Sequence, residues 1–558
     1  MSHQDSLKQL MADLQARNLD RRSFVTRASA LGLSARAMTM LLGAVGVAAP
    51  AGVAAAAAQE ASGTLRFAVT TDPETLDPQM TSNGSAWEVF NRIYSSLVYQ
   101  DIDLTYKGLL AESWETSADN LEITFKLKEG ITFHDGSAVD AEAVKFTYER
   151  LATEGAKNPN HEMAKTITVT AVDPLTVTFT FETPSAVFFH AISDGYGGIL
   201  SPAAVEAGGE DYGRAPVGTN SYKLSDWQTG TTVTLAAFDE FKAVEGYFTN
   251  TGPAKIAELQ YKLIPEEFAQ TASLETGEVD AVQLSATDLP RFENDDRFEI
   301  FPSSGTGVMY LGMVRVRPLM EDPLVRKAVA HAINRQEIVD TLFSGGLAQA
   351  TATPLPPSVP GYNEELEALA PAFDIEAGKA LLEEAGWIEG EDGIREKDGE
   401  KLAPLLYTTT ATDMGQLATL IQAQLRLIGV DAKINQLEVA ALLDFTPKGE
   451  HDMLLLSYGW GDPNALYLFL STDRLPTSNR THYSNPALDE LLVKGQQELD
   501  WDARMQVYYD AQTILLEDLP WVPLFMPISK TAIAKNVKDV GMFPHSGWVL
   551  IHDATVED

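Results

Sequence analysis

Two hydrophobic periods follow one another along this chain, and together they restrict it to a mixed α/β architecture. Leu121, Ile123, Phe125 and Leu127 alternate with Glu122, Thr124 and Lys126. Period-two spacing puts the apolar side chains on one face of a strand, the face that a core covers. Leu175, Val177, Phe179 and Phe181 alternate with threonines in the same way, so an antiparallel patch with one solvated face is expected. Further along, the period lengthens to that of a helix. Asp322 is placed to cap a helix opening at Pro323, with Val325, Ala328, Val329, Ala332 and Ile333 along one side. Asp374 opens a second helix that ends at Gly386. A third starts near Asp413, carries Leu417, Leu420, Ile421, Leu425 and Ile428 on one face, and stops at Gly429. Val430, Ala432 and Ile434 then alternate as a strand, and a long helix runs from about Trp501 to Glu517, before Pro520. The absence of a short repeat excludes solenoids and propellers. With no low-complexity linker, large lobes in close contact are expected.

Composition narrows the function classes. A length of 558 residues suits two or three domains after a leader, and 45% hydrophobic residues supply an ordinary globular core. The chain has no cysteine, which excludes disulfides, zinc–thiolate sites, a thiol nucleophile and a lipid-anchored cysteine. The formal net charge of −38 repels phosphate backbones and anionic lipid headgroups, so nucleic acid and membrane surfaces are poor partners. That charge is spread along the chain, as for a solubilising surface, and no acidic tail marks an interaction segment.

The start of the chain reads as an export signal. Arg21 and Arg22 sit in Asp20-Arg21-Arg22-Ser23-Phe24-Val25-Thr26, ahead of a weakly apolar run over about residues 38–58 that ends in five alanines. A membrane span needs about 20 strongly apolar residues, and this run is mostly Ala and Gly. The pattern looks like a twin-arginine signal over residues 1–58, with an ordinary secretory signal as the alternative. The exported product is expected to be soluble, periplasmic and not a lipoprotein, with the twin-arginine machinery as a transient partner.

A series of short motifs then carries a resemblance. In order they are Thr75-Leu76-Asp77-Pro78-Gln79, Leu110-Ala111-Glu112-Ser113-Trp114, Phe133-His134-Asp135-Gly136, Pro216-Val217-Gly218-Thr219 and Gly277-Glu278-Val279-Asp280. The strongest is Asp322-Pro323-Leu324-Val325-Arg326-Lys327-Ala328, continuing to Ala332-Ile333-Asn334-Arg335. Ala385-Gly386-Trp387, Asn485-Pro486 and Pro520-Trp521-Val522-Pro523-Leu524 close the series. Each alone is weak, but their order over hundreds of residues resembles the large extracytoplasmic solute-binding proteins of ABC importers, the peptide/nickel-type family 5. The resemblance implies a two-lobed periplasmic binding protein of type II (the large cluster C kind) with an extra small domain. Residues 59–92, 214–305 and 528–558 would form a discontinuous lobe I, 93–213 the extra subdomain and 306–527 lobe II. It implies a monomer that closes on a small polar organic solute, such as a peptide, and docks on an inner-membrane permease.

Two segments are candidates for ligand contact. The resemblance points to the loop after the first strand, where Ser82, Asn83 and Gly84 offer hydrogen bonds and close backbone approach, and Trp87 an aromatic wall. The second candidate is Tyr458-Gly459-Trp460-Gly461-Asp462-Pro463, after the apolar run from Met453 to Leu456. There Tyr458 and Trp460 could stack on a solute and Asp462 pair with a cation. The competing reading makes Trp460 core and Asp462 the cap of a helix at Pro463. Peptide binders in the family hold the free amine with a carboxylate whose place here is Gly459, and dipeptide binders use an Arg where this chain has Gly415 and Gln416. Loss of both end anchors disfavours simple dipeptides, because a buried, unpaired terminus costs several kcal/mol. Blocked or longer peptides, opines, oligosaccharides or a chelated metal are the alternatives.

Catalysis and resident cofactors are not expected. The chain has no G-x-S-x-G elbow and no H-E-x-x-H pair, and its nine histidines are scattered without ligand spacing. An exported hydrolase is the remote alternative, and no metal site is expected.

Overall fold

A computed structural model describes residues 61–557 except His545. The leader, with Arg21 and Arg22, lies outside the described residues. The organising element is a twelve-stranded sheet of described residues built around one long strand, Trp521–Ala534. The first part of this strand pairs antiparallel with Gly307–Met313 (Leu311 opposite Val522), and its last part pairs with Phe298–Ser304 (Ile300 opposite Ala532). Only Gly305 and Thr306 separate those two partner strands. Two neighbouring strands therefore run side by side from one half of the sheet into the other.

Beyond the crossing, each half has its own order and core. On one side the sheet continues through Ala281–Gln283, Thr64–Val69, Glu258–Leu263, Thr232–Ala237 and Tyr222–Gln228. Leu65, Phe67, Leu235, Leu259 and Ile533 are buried there. On the other it continues through Met453–Gly459, Leu405–Thr409 and Lys433–Leu437. The helices read from the sequence pack on this side, with Val325, Ala328, Val329, Leu417, Ile421 and Leu425 in its core. Asp322 caps Pro323–Ala332 through Leu324 N (2.9 Å), and Asp374 caps Ile375–Glu384 through Ala377 N (2.9 Å). The third helix, Thr412–Arg426, starts beside Asp413 as its period suggests. The strand after Gly429 begins later than its alternation suggests, at Lys433, because buried Val430 and Ala432 lie in the turn leading into it.

The period-two segments form the expected patch. Glu122–Leu127 pairs antiparallel with Thr176–Phe181, flanked by Ala111–Thr116 and Ile167–Asp173 in a separate four-stranded sheet. Ile123, Phe125, Val177 and Phe179 point into a core that the helix Ala141–Leu151 covers. This subdomain also reaches the second half of the large sheet. Ala186 N donates to Gln496 O (2.7 Å), and the Tyr106 ring meets Trp501 edge-on.

Three histidines are held neutral by this packing, among them His134 of the Phe-His-Asp-Gly turn. His134, His451 and His552 each donate a ring N–H to a carbonyl, of Asn220 (2.9 Å), Arg480 (3.0 Å) and Gly252 (2.9 Å). Burial pushes each pKa down to about 4. A base depressed in the folded state stabilises above its unfolded pKa, about 6.5, and loses that contribution as pH falls toward 4. The three histidines should therefore lower stability between pH 6.5 and 4.5 by on the order of 1–2 kcal/mol each, offset in part by buried Glu245, whose pKa of about 7 acts in the opposite sense. Urea titrations across that window test this, and a flat profile would contradict it.

Candidate functional site

A cavity of about 270 Å³ lies where the two sheet halves and the subdomain meet. Trp87, Asn91 and Tyr94 line one wall. The first two lie four residues apart on and just past Gly84–Phe90, and Tyr94 follows three residues later, spacings that share one helix face. His190, Ser193 and Asp194 come from the subdomain, Glu245 and Tyr247 from a loop of the first half, and Trp548 from near the C-terminal end. Thr306, Ser358 and Gly461 close it from the second half. A Cβ built on Gly461 would sit 3.1 Å from His190 Cε1, so the missing side chain lets that loop approach the imidazole.

The sequence candidates separate on this geometry. Trp87 lines the cavity, and its indole N–H donates to Asp194 Oδ2 (3.0 Å). Ser82, Asn83 and Gly84 do not line it. The helix begins at Gly84, so these positions sit at its outer end, and Asn83 caps it by accepting from Ser85 N (2.8 Å) and Ala86 N (3.3 Å). Trp460 is half-buried beside the cavity, its ring 5.9 Å from that of His190. Tyr458 is core. It is 6% exposed, stacks on Trp521 at 5.5 Å, and its hydroxyl donates to Pro354 O.

Asp462 is a correction. Its carboxylate, 1% exposed, accepts two bonds from the Arg504 guanidinium (2.8 and 2.9 Å) and one from Asn464 N (2.8 Å). Burial pushes its pKa up, but Arg504 more than offsets this and holds it below the usual carboxylate range. Buried and paired with Arg504, it is not presented to a solute, and the following helix starts at Ala465 rather than Pro463.

Sequence reasoning missed most of the wall. His190, Asp194, Asn220, Glu245, Tyr247 and Trp548 come from loops and short turns without periodicity. The one available signal was the spacing of Trp87, Asn91 and Tyr94. Electrostatically the wall is acidic. Burial raises the pKa of Asp194, offset only in part by the Trp87 N–H, His190 and the backbone N–H groups of Tyr196 and Gly197. Glu245 is pushed up to about 7, because burial outweighs its own backbone N–H, Arg92 and Lys128. Arg92 stands behind the wall, its guanidinium 3.6 Å over the Trp548 ring.

A second chamber of about 400 Å³ shares Thr306 with the first. Met309, Phe343, Met414, Leu417, Phe525 and Pro527 make it largely apolar, and Gly459 and Asp413 stand at its polar side. Among the described residues no group of His, Asp and Glu is arranged to hold a metal ion, and no helix is long and apolar enough to cross a membrane.

A chambered cavity walled by both halves of a sheet, with two strands crossing between them, is the architecture of a receptor that encloses a small molecule. A family profile described as bacterial extracellular solute-binding proteins, family 5 (middle), matches residues 105–476. The chain belongs to that family, the solute receptors of ABC importers. It is similar to the glutathione-binding protein GsiB of Escherichia coli K12, at 27% identity over 487 residues, 85% of this chain and 91% of that protein. NikA from Brucella suis, solved with Fe(III)-EDTA, superposes with a TM-score of 0.77 at 26% identity, covering 89% of this chain and all of that one. DppA from Helicobacter pylori, solved with the peptide STSA, does so at 0.69 and 26%, covering 90% and 99%.

Proposed function

We propose that this chain is the periplasmic receptor of an ABC importer, capturing a peptide or peptide-like polar solute without altering it. The observation that carries the reading is the cavity walled from both halves of the sheet, with Trp87 and Trp548 on one side and Thr306, Ser358 and Gly461 on the other. In this reading residues 59–92, 214–305 and 528–558 form lobe I, 93–213 its subdomain and 306–527 lobe II. The strand pair at Gly305–Thr306 and at the middle of Trp521–Ala534 is the hinge. Solute bridging the lobes shifts an open–closed equilibrium, and the closed form is what the permease accepts. GsiB is named for glutathione and DppA was solved with STSA, which supports a peptide-like cargo. Arg21 and Arg22 direct export by the twin-arginine route, and the protein works as a soluble monomer without a lipid anchor.

Mass spectrometry of solute co-purifying with the exported protein identifies the cargo, and X-ray scattering with and without it reports closure. Trp87→Ala is expected to weaken that cargo's binding by about tenfold or more, as for a central aromatic anchor. Unchanged affinity in calorimetry would place the solute elsewhere.

A further inference from the structure

The two chambers together describe the chemistry of the cargo. Their walls carry three carboxylates, Asp194, Glu245 and Asp413, and neither includes a Lys or Arg. An acidic chain exposes many carboxylates, but Asp194 and Glu245 differ from those on the surface. Both face a confined space between aromatic rings, and among the described residues neither has a Lys, Arg or His nitrogen within 4.0 Å. His190, Arg92 and Lys128 ease this burial from a distance without pairing directly, so much of the cost of burying the charge remains for a bound cation to offset. Nδ1 of His190, in the same wall, is buried without a hydrogen-bond partner among the described residues, so a polar group of the solute would complete it. The rings of Trp87 and Tyr247 add aromatic surface that attracts a cation. Past Thr306 the surroundings become apolar, with flexible Met309 and Met414 beside Phe343 and Phe525.

We propose that the cargo is a cationic amphiphile, such as a basic peptide, whose amine or guanidinium head sits against Asp194 and Glu245 while an apolar arm enters the chamber of Met309, Phe343, Met414 and Phe525. This rests on the cavity being the solute site, and it sets this chain apart from a receptor for glutathione, which carries two carboxylates and would meet no lysine or arginine here. The assignment uses neither strand-end Gly459 nor the Gly415–Gln416 pair. Charge recognition has moved to the subdomain and to the Glu245 loop.

The test is calorimetry with four blocked dipeptides of nearly constant shape: N-acetyl-Arg-Phe-amide, its citrulline and Glu analogues, and N-acetyl-Arg-Ser-amide. The Arg-Phe compound should bind at least about tenfold more tightly than the citrulline form, roughly the value of one charge-assisted contact. It should also beat the Ser form, and the Glu form should not bind. Glu245→Gln and Asp194→Asn should each narrow the Arg-to-citrulline ratio while leaving the Phe-to-Ser ratio unchanged. Equal or tighter binding of the citrulline or Glu compound overturns the proposal, as does binding of none of the four. If the co-purified solute proves neutral or acidic and Trp87→Ala releases it, the cavity remains the solute site and only the charge assignment falls.

Discussion

Asp462→Ala is expected to destabilise the protein by about 3–5 kcal/mol, the cost of stranding one member of a buried ion pair. Arg504 would keep its charge at 3% exposure, with one bond left, from Nε to Gly495 O (2.9 Å). The pair joins the loop after strand Met453–Gly459 to the long helix Trp501–Asp518, so its loss loosens the floor behind Gly461 and the cavity. Removing both charges should be milder. Asp462→Leu with Arg504→Met takes away the attraction and both desolvation costs together. The measurement is the urea midpoint of each variant, with Glu376→Ala on an exposed helix start as reference. A shift for Asp462→Ala no larger than the reference would refute the pair's structural role.

Arg326→Ala should cost a comparable amount, about 3 kcal/mol or more, for a different reason. This arginine lies in the motif Asp322–Ala328, is 2% exposed and, among the described residues, has no carboxylate within 4.0 Å, although Asp518 and Asp322 act on its charge from farther off. Its guanidinium donates instead to three carbonyls, Asp518 O (2.9 Å), Met320 O (2.9 Å) and Glu321 O (2.7 Å). Burial and the nearby Arg315 push its pKa down, to about 10, so the charge survives at neutral pH. Those carbonyls close the short helix Pro318–Glu321 and the long helix Trp501–Asp518, ends that have no intrahelical donors. Each buried acceptor left bare costs about 1–3 kcal/mol. Arg326→Lys should recover only part of the loss, because an ammonium lacks the planar fork that spans three sites. Urea midpoints of the two variants decide it. Equal stability of wild type and Arg326→Lys would show that charge, not geometry, is what the site uses.

Arg326 also shows which parts of this molecule sequence made legible. The helix around it followed from period, Pro323 and the Asp322 cap, all local chemistry, and the half-buried strand pair at 121–127 and 175–181 followed from alternation. What the guanidinium holds was not legible, because its partners lie up to 192 residues away. The site divides the same way. Trp87 belongs to a helix face whose spacing is written in the chain, whereas Asp194 and Glu245 reach the cavity on aperiodic turns. Asp462 misled because a carboxylate after a strand end looks the same whether it faces a cleft or a guanidinium 42 residues on.

The long strand Trp521–Ala534 has a consequence for biosynthesis. It supplies the neighbour of Ala281–Gln283 and Phe298–Ser304, so the half of the sheet begun by residues 64–69 stays unfinished until residues 521–534 have left the ribosome. Until that strand is made, the edge of Ala281–Gln283 stays open, and truncation near residue 520 should leave neither half able to fold.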